Sequence, residues 1–444
     1  MPDRSGRQLN VGGWSADSLS GIRLYTPDGN PGNASVNDWQ ENHGVLKLQS
    51  GRWYPTAMVM YDGQIIVVGG QDGSNGPPVP SLETLPPRGP PLFCEWLRAS
   101  DPWNLYPFMA VQRGGIFIQY WNEARILDEN TFETVRLLPP TPGAVNAPKG
   151  GRTYPLEGTM VLLPQYAPYT ESLEVLICGG STVDNVALDN CVSIKPEDAD
   201  ADWVIERMPS KRVMTCMAAL PDGTYLMVGG AQRGVAGFAL ADLPNLNALL
   251  YDPRKPVGSR MTVMANTTIE RMYHSEAILL NDGRVMISGS DPQDTRFPQQ
   301  YIIEQFLPPY LLNGKPNPSF ELQNRDWNYG ESITVEGIVA PNAGAGSVNF
   351  SMLGATSSTH SNSMGQRTIF PAVSCSGSTC TITAPPDPHI APPGWFQLFA
   401  LDDGQPSQGM WIRLGKDPGE MGNWPAGLED FAPLPGMGDY VPWF

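Results

Sequence analysis

Residues 61–70 read YDGQIIVVGG, and the same pattern returns at residues 221–230 (PDGTYLMVGG) and 281–290 (NDGRVMISGS). Each copy joins an Asp-Gly pair to a short apolar run that ends in Gly-Gly or Gly-Ser. Asp-Gly favours a tight turn, an apolar run between turn residues is typical of a β-strand, and the glycines mark a sharp turn or a close approach of backbones. The repeat therefore predicts short β-strands at regular intervals.

Weaker copies extend the repeat over most of the chain, at residues 6–13, 114–120 and 173–180. The six copies end near positions 13, 70, 120, 180, 230 and 290, a spacing of 50 to 60 residues. That period is typical of kelch-type propeller blades widened by insertions. An unrelated all-β sandwich with chance Asp-Gly turns is the alternative. We predict an all-β fold with a kelch-type β-propeller over residues 1–300.

The pattern changes after Ser290, where a proline-rich connection (FLPPYL, residues 306–311) leads into alternating strands. The candidate strands are residues 332–338, 347–353, 368–373, 379–383, 395–401 and 409–414. Several short strands separated by turns indicate an immunoglobulin-like β-sandwich. We assign it to residues 301–415. The tail, residues 416–444, carries no readable function.

Composition excludes two classes of partner. Charged residues make up 16% of the chain, against roughly 25% in a typical soluble domain, and 47 glycines and 45 prolines favour strands and turns. The formal net charge of −17 argues against nucleic acid, because phosphates need a basic surface. No run of eighteen apolar residues exists, so we expect no membrane span and a soluble protein.

The six cysteines suggest an oxidising compartment. Cys375 and Cys380 flank SGST between two strand-like runs, so a hairpin would place them within disulfide reach. Cys178 and Cys191 are a second candidate pair, although sequence alone does not establish the connectivity. The remaining two cysteines are expected to be buried thiols. No Cys-x-x-Cys occurs, which disfavours a structural zinc site.

Glycosylation sequons also favour secretion. Three Asn-x-Ser/Thr triplets occur, at Asn33, Asn266 and Asn349. The first residues, MPDRSG, lack the apolar core of a signal peptide. We nevertheless expect an extracellular protein.

Three short fragments carry the chemistry: RWY at residues 52–54, RMYHS at 271–275 and STHS at 358–361. The chain has only four histidines, and two of them lie in these fragments. Two imidazoles and two phenols form an N2O2 ligand set, which suits a tetragonal Cu(II) better than zinc, calcium or magnesium. The fragments therefore predict copper redox chemistry. We expect His43 and His389, which have no such companions, to be surface residues.

These fragments resemble the copper radical oxidases, the family of galactose oxidase and glyoxal oxidase. The similarity runs from about Gly6 to about Gly415 and follows the glyoxal oxidase branch. Residues 306–311 and 400–407 look like the C-terminal module of that branch. The resemblance implies a seven-bladed propeller, yet six repeats are visible. We therefore expect at least one blade upstream of Met1, so that the ring of this chain is poorly closed and leaves unpaired strand edges.

The resemblance also implies a role for each ligand. Tyr273 would be the axial ligand and proton acceptor, His274 and His360 the equatorial imidazoles, and Tyr54 a ligand that carries the radical. His360 would lie on a hairpin that reaches into the propeller axis. The alternatives are structural or core roles for Tyr54, Tyr273 and His274, and a solvent-exposed turn for His360. Neighbouring strand residues point to opposite faces, so Tyr273 and His274 can share a metal only if the backbone departs from strand geometry.

The radical tyrosine of this family is thioether-linked to a cysteine in the preceding blade. Here that cysteine should lie just before the strand that ends at Gly12-Gly13, and none of the six cysteines is there. It would fall upstream of Met1. We expect the chain as written to be inactive when loaded with copper, and an N-terminally extended form to be active.

The substrate is inferred from a difference within the family. Galactose oxidase has an indole shortly after the glycine pair, whereas Gly69-Gly70 is followed here by Gln71-Asp72-Gly73. We therefore expect small aldehydes of the glyoxal and methylglyoxal type, hydrated to gem-diols, as substrates together with O2. The enzyme is expected to be a secreted monomer, in a fungal context. A primary-alcohol oxidase of the same fold and a catalytically inactive propeller that binds carbohydrate are the alternatives.

Overall fold

The computed structural model describes residues 1–27, 34–143, 148 and 150–415. Within these ranges strands dominate, and there is one α-helix, Glu95–Ser100 (α1). Three short 3-10 segments are Ala16–Leu19, Pro309–Leu311 and Ala345–Ser347. The sequon residue Asn33 and the predicted tail, residues 416–444, lie outside the described residues. No helix in the described ranges is long and apolar enough to cross a membrane.

The strands of the first three hundred residues follow one another at short intervals. They are Gln8–Val11 (β1), Ile22–Tyr25 (β2), Thr56–Val59 (β3), Ile65–Val68 (β4), Ser81–Leu85 (β5), Leu92–Phe93 (β6), Phe108–Gln112 (β7), Gly115–Tyr120 (β8), Glu123–Leu127 (β9), Thr134–Leu137 (β10), Gly158–Leu162 (β11), Gln165–Tyr166 (β12), Val175–Gly179 (β13), Leu188–Ile194 (β14), Val204–Arg212 (β15), Cys216–Ala219 (β16), Tyr225–Val228 (β17), Ala231–Gly234 (β18), Ala241–Pro244 (β19), Asn247–Tyr251 (β20), Met261–Asn266 (β21), Glu276–Leu279 (β22) and Val285–Ser288 (β23).

The remaining strands complete the last repeated sheet and form the C-terminal region. They are Glu304–Phe306 (β24), Ser319–Glu321 (β25), Asp326–Trp327 (β26), Ser332–Val339 (β27), Asn349–Gly354 (β28), Ser357–Thr359 (β29), Asn362–Met364 (β30), Thr368–Phe370 (β31), Ala372–Ser376 (β32), Thr379–Thr383 (β33), Gly394–Asp402 (β34), Gln405–Pro406 (β35) and Met410–Leu414 (β36).

Six antiparallel sheets, called here the repeated sheets, follow in sequence order within the described residues. Their strand orders are β1-β2, β3-β4-β5-β6, β7-β8-β9-β10, β11-β13-β14-β15, β16-β17-β20-β21 and β22-β23-β24. The six sequence repeats coincide with β1, β4, β8, β13, β17 and β23. Each full sheet has four strands connected mostly in up-and-down order, as blades of a propeller have. The predicted repeated strands are confirmed.

The glycine that ends a repeat has a packing reason. A β-carbon at Gly12 would lie 2.3 Å from the carbonyl oxygen of Arg52, and one at Gly289 would lie 2.3 Å from that of His274. Both glycines also have positive φ, +72° and +76°, which disfavours other residues. These two glycines thus allow close packing against the segments that precede β3 and β22. The candidate ligands Tyr54 and His274 lie in those segments.

Four fully buried arginines mark the same place in four sheets: Arg52, Arg152, Arg212 and Arg271. Each donates from Nη1 to the carbonyl oxygen of the glycine in the next-to-last position of the repeat that follows it in sequence, namely Gly69, Gly179, Gly229 and Gly289. A buried guanidinium needs such acceptors, since an unpaired charge would be costly there. Each arginine precedes the first strand of a repeated sheet, β3, β11, β16 or β22, and Arg212 is also the last residue of β15. The segment from the arginine to that first strand is called here the entry turn. The arginine ties the entry turn to the end of the second strand of the sheet.

The C-terminal region is a two-sheet sandwich, as predicted. A sheet β25-β27-β33-β32 faces a sheet β12-β31-β28-β34-β36-β26, and Trp327, Phe350 and Phe396 are buried within this region. The two parts of the chain exchange strands, because β12 from the first part joins the sandwich. In return, the hairpin β29-β30 enters the repeated sheets, where β30 pairs with β11.

Both expected disulfides are present. Cys375–Cys380 joins β32 to β33 in the sandwich, and Cys178–Cys191 joins β13 to β14 in a repeated sheet. Cys94 and Cys216 are buried free thiols, also as predicted. The hairpin geometry explains the first pair, because directly opposed residues on neighbouring strands have β-carbons within disulfide reach.

Candidate metal centre

The structure brings the four predicted ligands together although they lie far apart in sequence. The phenol oxygens of Tyr54 and Tyr273 are 2.8 Å apart, and His360 Nε2 is 3.3 Å from the Tyr273 oxygen. The ring centres of His274 and His360 are separated by 4.9 Å. Three of these side chains come from the starts of repeated sheets and the fourth from the hairpin β29-β30. Two phenols and two imidazoles therefore share one small space.

Backbone conformation explains how they meet. Tyr54, His274 and His360 have φ values of +60°, +64° and +52°, in the left-handed region that non-glycine residues seldom adopt. At His274 this removes the strand geometry that would send it away from Tyr273, and the two rings lie 3.8 Å apart at 27°. Such conformations cluster at functional sites because the surrounding structure must enforce them.

Each imidazole has an outer partner. His360 Nδ1 lies 2.8 Å from Thr359 Oγ1, so its Nε2 faces the phenols. His274 Nδ1 lies 4.0 Å from Asp291 Oδ2. Metal-binding histidines usually have a partner at the second ring nitrogen, which sets the orientation of the ring. The Nε2 of His360 therefore faces the shared space, and the His274 ring lies next to it with ring centres 4.9 Å apart.

Burial sets the protonation of the ligands. It lowers the pKa of His360 well below its ordinary value and also lowers the pKa of His274, so both imidazoles are neutral, as metal binding requires. Burial raises the pKa of Tyr54 and of Tyr273. A bound cation would reverse that effect on the phenols, because it stabilises the charged form. The side chain of His274 is 31% exposed, which opens one side of the centre to solvent.

The donor set fits copper better than the other common metals. In the described ranges, no group of three or more His, Cys, Asp or Glu side chains converges on one point. A closed zinc or calcium site of the usual ligands is therefore not formed by those residues. The N2O2 set at this centre is the kind that suits Cu(II).

Sequence reasoning missed the aromatic residues around this centre. Trp53 stacks on Tyr54 with ring centres 3.7 Å apart, and Tyr106 stacks on His360 at 4.7 Å. Tyr154 meets Tyr54 edge-on at 5.0 Å. A signal was available for Tyr154, because Arg-Thr-Tyr at residues 152–154 occupies the same place in its sheet as Arg-Trp-Tyr at residues 52–54.

Phe238 lies on the solvent side of the centre. Its ring meets those of Tyr273 and His274 edge-on, at 5.2 Å and 5.6 Å. It is 45% exposed, so it forms part of the rim through which a small molecule would approach. No sequence pattern indicated this residue, because it lies in the connection between β18 and β19.

The two free thiols in the described residues, Cys94 and Cys216, form hydrogen bonds with groups other than Tyr54. Cys94 Sγ donates to the carbonyl oxygen of Leu92 at 3.6 Å, and Cys216 Sγ donates to that of Ser275 at 3.1 Å. The other four cysteines are in disulfides. The described residues thus provide no thiol for a thioether at Tyr54.

The other two histidines lie outside the centre. His389 and His43 were expected at the surface, and both are partly buried; the side chain of His389 is 25% exposed. Its Nε2 lies 2.9 Å from Glu129 Oε2, and its ring stacks on Tyr61 at 5.1 Å, so it joins the sandwich to the repeated sheets. His43 is half-buried and lies 2.8 Å from Ser20 Oγ. Neither contact could be inferred from flanking sequence.

Comparisons with known proteins agree with this architecture. The family described as Glyoxal oxidase N-terminus matches residues 2–310, and the Galactose oxidase-like, Early set domain matches residues 317–414. These matches define a sheet-rich oxidase-like chain with a C-terminal sandwich. The chain belongs to the glyoxal oxidase family.

Three similar proteins differ in sequence identity with this chain and in the share of their length that it covers. A WSC domain-containing protein of Arthroderma benhamiae is 62% identical over 439 residues, covering 98% of this chain and 47% of that protein. Aldehyde oxidase GLOX of Vitis pseudoreticulata is 35% identical over 441 residues, covering 93% and 80%. A fungal alcohol oxidase solved in complex with copper shares the fold, with a TM-score of 0.73 and 19% identity, covering 94% and 84%. The chain thus spans about half the length of the first of these relatives.

Proposed function

We propose that this chain is a copper radical oxidase that converts small aldehydes, of the glyoxal and methylglyoxal type, to carboxylic acids while O2 is reduced to hydrogen peroxide. The observation that carries the proposal is the convergence of Tyr54, Tyr273, His274 and His360. The 35% identity with a plant aldehyde oxidase supports the substrate class.

The four side chains have distinct roles in this proposal. Tyr54, Tyr273, His274 and His360 would hold one copper ion. When bound, copper together with an oxidised phenol accepts two electrons and supplies them to O2. This is the number released when a hydrated aldehyde, RCH(OH)2, becomes RCOOH. Atoms and electrons balance, since RCH(OH)2 and O2 give RCOOH and H2O2.

Protons and hydrogen atoms move at the two phenols. Tyr273 would accept the proton of the substrate hydroxyl as the phenolate that a bound cation stabilises, and its oxygen lies beside Tyr54 and His360 in the shared space. Tyr54 is the radical tyrosine and takes the hydrogen atom from the substrate carbon. Trp53 covers one face of the Tyr54 ring and keeps water from it. Substrate approaches past Phe238, beside the exposed side of His274.

Copper content and peroxide release test the proposal together. We expect one Cu(II) per chain, measured for this chain and for an N-terminally extended form, and we expect aldehyde-dependent peroxide with methylglyoxal from the extended form alone. The extended form addresses the expected upstream cysteine in the same assay. Failure of the chain to bind copper stoichiometrically would reject the proposal, and would favour a binding protein without catalysis.

A primary-alcohol oxidase is the second candidate. The shared fold with a fungal alcohol oxidase favours it, because the same centre could remove two electrons from an alcohol. Peroxide release is compared between methylglyoxal and a panel of primary alcohols at equal concentration. A higher kcat/KM for any alcohol would replace the aldehyde proposal.

Domain boundaries and location belong to the same proposal. We divide the chain into residues 1–300, 301–415 and a tail of 416–444. The two family matches, residues 2–310 and 317–414, meet somewhat later than the first of these boundaries, and β24 after residue 300 still pairs with β23 of the last repeated sheet. We also propose that the protein is a secreted monomer. The exposed sequon residues Asn266 and Asn349 and the two disulfides support secretion.

A further inference from the structure

The turn that carries His360 is held in an unfavourable backbone conformation. His360 and Ser361 connect β29 to β30, and both have left-handed φ values, +52° and +60°. Neither residue is glycine, so each departs from its preferred conformation. The two strands that flank the turn have only three residues each. Such a short hairpin does not impose this conformation alone, and contacts from outside must stabilise it.

Glu276, the first residue of β22, binds both sides of the turn. Its Oε1 accepts a hydrogen bond from the backbone N–H of Ser361 at 3.0 Å. Its Oε2 accepts one from the hydroxyl of Ser358 at 2.6 Å. The carboxyl group of Glu276 thus connects Ser358 and Ser361, which lie on either side of His360.

Glu157, which precedes β11, approaches the turn from a different sheet. Its Oε1 accepts a hydrogen bond from the Ser361 hydroxyl at 3.1 Å, while its Oε2 has no partner in the described part of the chain. Glu157 is only 3% exposed. Burial and the neighbouring Glu276 raise the pKa of Glu157 to about 8, and burial raises the pKa of Glu276 to about 7, so the two neighbouring carboxyl groups are not both fully ionised near pH 7.

The rest of the hairpin makes contacts through neutral groups. Asn362 Nδ2 donates to Thr56 Oγ1 at 3.2 Å, and Gln366 Oε1 accepts from the backbone N–H of Leu162 at 2.9 Å. These contacts hold the strand β30 and the residues after it. They do not reach Ser361. In the described residues, Ser361 is contacted by Glu276, by Glu157 and by the thiol of Cys216, whose Sγ lies 4.0 Å from Ser361 Oγ. Of these three side chains, Glu276 binds the backbone of the turn.

We propose that Glu276 and Glu157 are positioning residues that hold the His360 turn so that the imidazole faces the two phenols. The inference rests on the proposed function, because His360 needs this position as a metal ligand. Without Glu276 the turn loses the acceptor for its own backbone N–H and relaxes from the left-handed region. His360 Nε2 then moves away from the Tyr273 oxygen.

The first test uses metal-free protein. Hydrogen–deuterium exchange is followed for the peptide covering residues 357–364 in the wild type, Glu276→Ala and Glu157→Gln. We expect exchange of the turn amides to accelerate about tenfold or more in Glu276→Ala, and less in Glu157→Gln. The matched control is Glu206→Ala, since Glu206 is also buried and accepts a backbone N–H, that of Gly258, at 2.6 Å. Wild-type exchange of the turn in Glu276→Ala would overturn the proposal.

The second test uses Cu(II) and electron paramagnetic resonance. We expect nitrogen couplings from two imidazoles in the wild type and in Glu206→Ala, but from one in Glu276→Ala, with copper Kd raised about tenfold or more. Glu276→Gln should recover most of the wild-type spectrum, because its amide oxygen still accepts from Ser361 N–H. Two-imidazole coupling in Glu276→Ala would overturn the proposal.

The two tests separate this inference from the proposed function. A wild-type chain that binds no copper, yet shows faster exchange of the turn in Glu276→Ala, would reject the oxidase and retain the positioning role. If Glu276→Ala does not fold, Ser361→Ala is measured instead, since it removes the bond to Glu157 and keeps the backbone bond to Glu276. An unchanged spectrum and unchanged exchange in Ser361→Ala would reject the role of Glu157.

Discussion

The repeated sheets and the C-terminal hairpin supply ligands to the same centre in different ways. The entry turns contain three of the candidate ligands, Tyr54, Tyr273 and His274. Each of these residues lies between a buried arginine and the first strand of a repeated sheet. His360 comes from the sandwich on a short hairpin, whose turn is held by side chains of other strands. The fold repeat therefore places three ligands through local structure, whereas the fourth depends on a few long-range hydrogen bonds.

The entry turns themselves fall into two kinds. Arg52 pairs with Glu83 at 3.0 Å and Arg271 with Glu304 at 2.8 Å, and both turns carry candidate ligands. Charge-assisted hydrogen bonds of this type are strong and directional. The turns that bear ligands are thus held by paired charges as well as by backbone carbonyls.

The other two arginines, Arg152 and Arg212, donate hydrogen bonds to asparagine side chains instead of carboxylates. Arg152 Nη2 donates to Asn190 Oδ1 at 2.6 Å, and Arg212 Nη2 donates to Asn247 Oδ1 at 3.2 Å. Burial lowers the pKa of Arg152 to about 9 and that of Arg212 to about 10. Neither turn supplies a candidate ligand. This contrast suggests that the carboxylate partner gives the ligand-bearing turns additional rigidity.

The largest expected effect tests that contrast. Arg52→Gln leaves Glu83, whose side chain is fully buried, as an unpaired charge, and we expect the free energy of unfolding to fall by about 3–5 kcal/mol. Arg212→Gln is the matched variant, because it leaves only neutral acceptors, and it should cost about 1–3 kcal/mol. Urea unfolding followed by tryptophan fluorescence measures both. Equal losses would show that the paired charge adds nothing.

Removing the ligand of the hairpin should affect metal binding rather than folding. We expect His360→Ala to raise the copper Kd by well over about 100-fold, because loss of an outer partner alone costs about 10- to 100-fold. His389→Ala is the control, since it removes an imidazole that binds Glu129 outside the centre. Competition with a chelator gives both constants. A wild-type Kd in His360→Ala would exclude this histidine as a ligand.

Changing a ligand of the repeated sheets should separate binding from turnover. Tyr273→Phe removes one oxygen and leaves both imidazoles, so copper should still bind while peroxide production falls by roughly 10²-fold. Tyr169→Phe is the matched control, because the Tyr169 hydroxyl is buried and makes no hydrogen bond with the described residues. The comparison is made in the form of the protein that turns over aldehyde. Unchanged peroxide in Tyr273→Phe would reject its role as the base.

Sequence predicted the fold because the repeat is encoded locally. Asp-Gly turns and apolar runs such as residues 61–70 determine strand positions without reference to distant residues. The same holds for Cys375–Cys380, whose partners are five residues apart in one hairpin. The candidate ligands could also be recognised in the sequence, because Tyr-His at residues 273–274 is a chemically distinctive pair.

The surroundings of the centre could not be predicted in this way. Positive φ at Tyr54 and His360 is imposed by tertiary contacts, and residue type does not indicate it. Phe238 and Glu157 reach the centre only because separate sheets meet there. Even the repeated arginines form no regular sequence period, since the distance to the bonded glycine is 17 residues for Arg52 but 27 for Arg152.

The smallest expected effect concerns the sandwich that carries the hairpin. Opening Cys375–Cys380 with a double alanine variant frees a loop with a sequence separation of 5, and the loop-entropy relation gives a loss of about 2 kcal/mol. The Cys178–Cys191 pair, with a separation of 13 in a repeated sheet, should cost about 3 kcal/mol by the same relation. Thermal unfolding of the two variants measures the difference.

Copper affinity of the sandwich variant then decides how the hairpin is held. The bonds from Glu276 and Glu157 reach the His360 turn from the repeated sheets, and Cys375–Cys380 connects β32 to β33 in the other sheet of the sandwich. We therefore expect the copper Kd to stay within about twofold of the wild type, since separate sites contribute independently. A Kd that rises as the sandwich is destabilised would mean that the His360 turn is positioned by the sandwich itself, and the contrast between the two regions would fail.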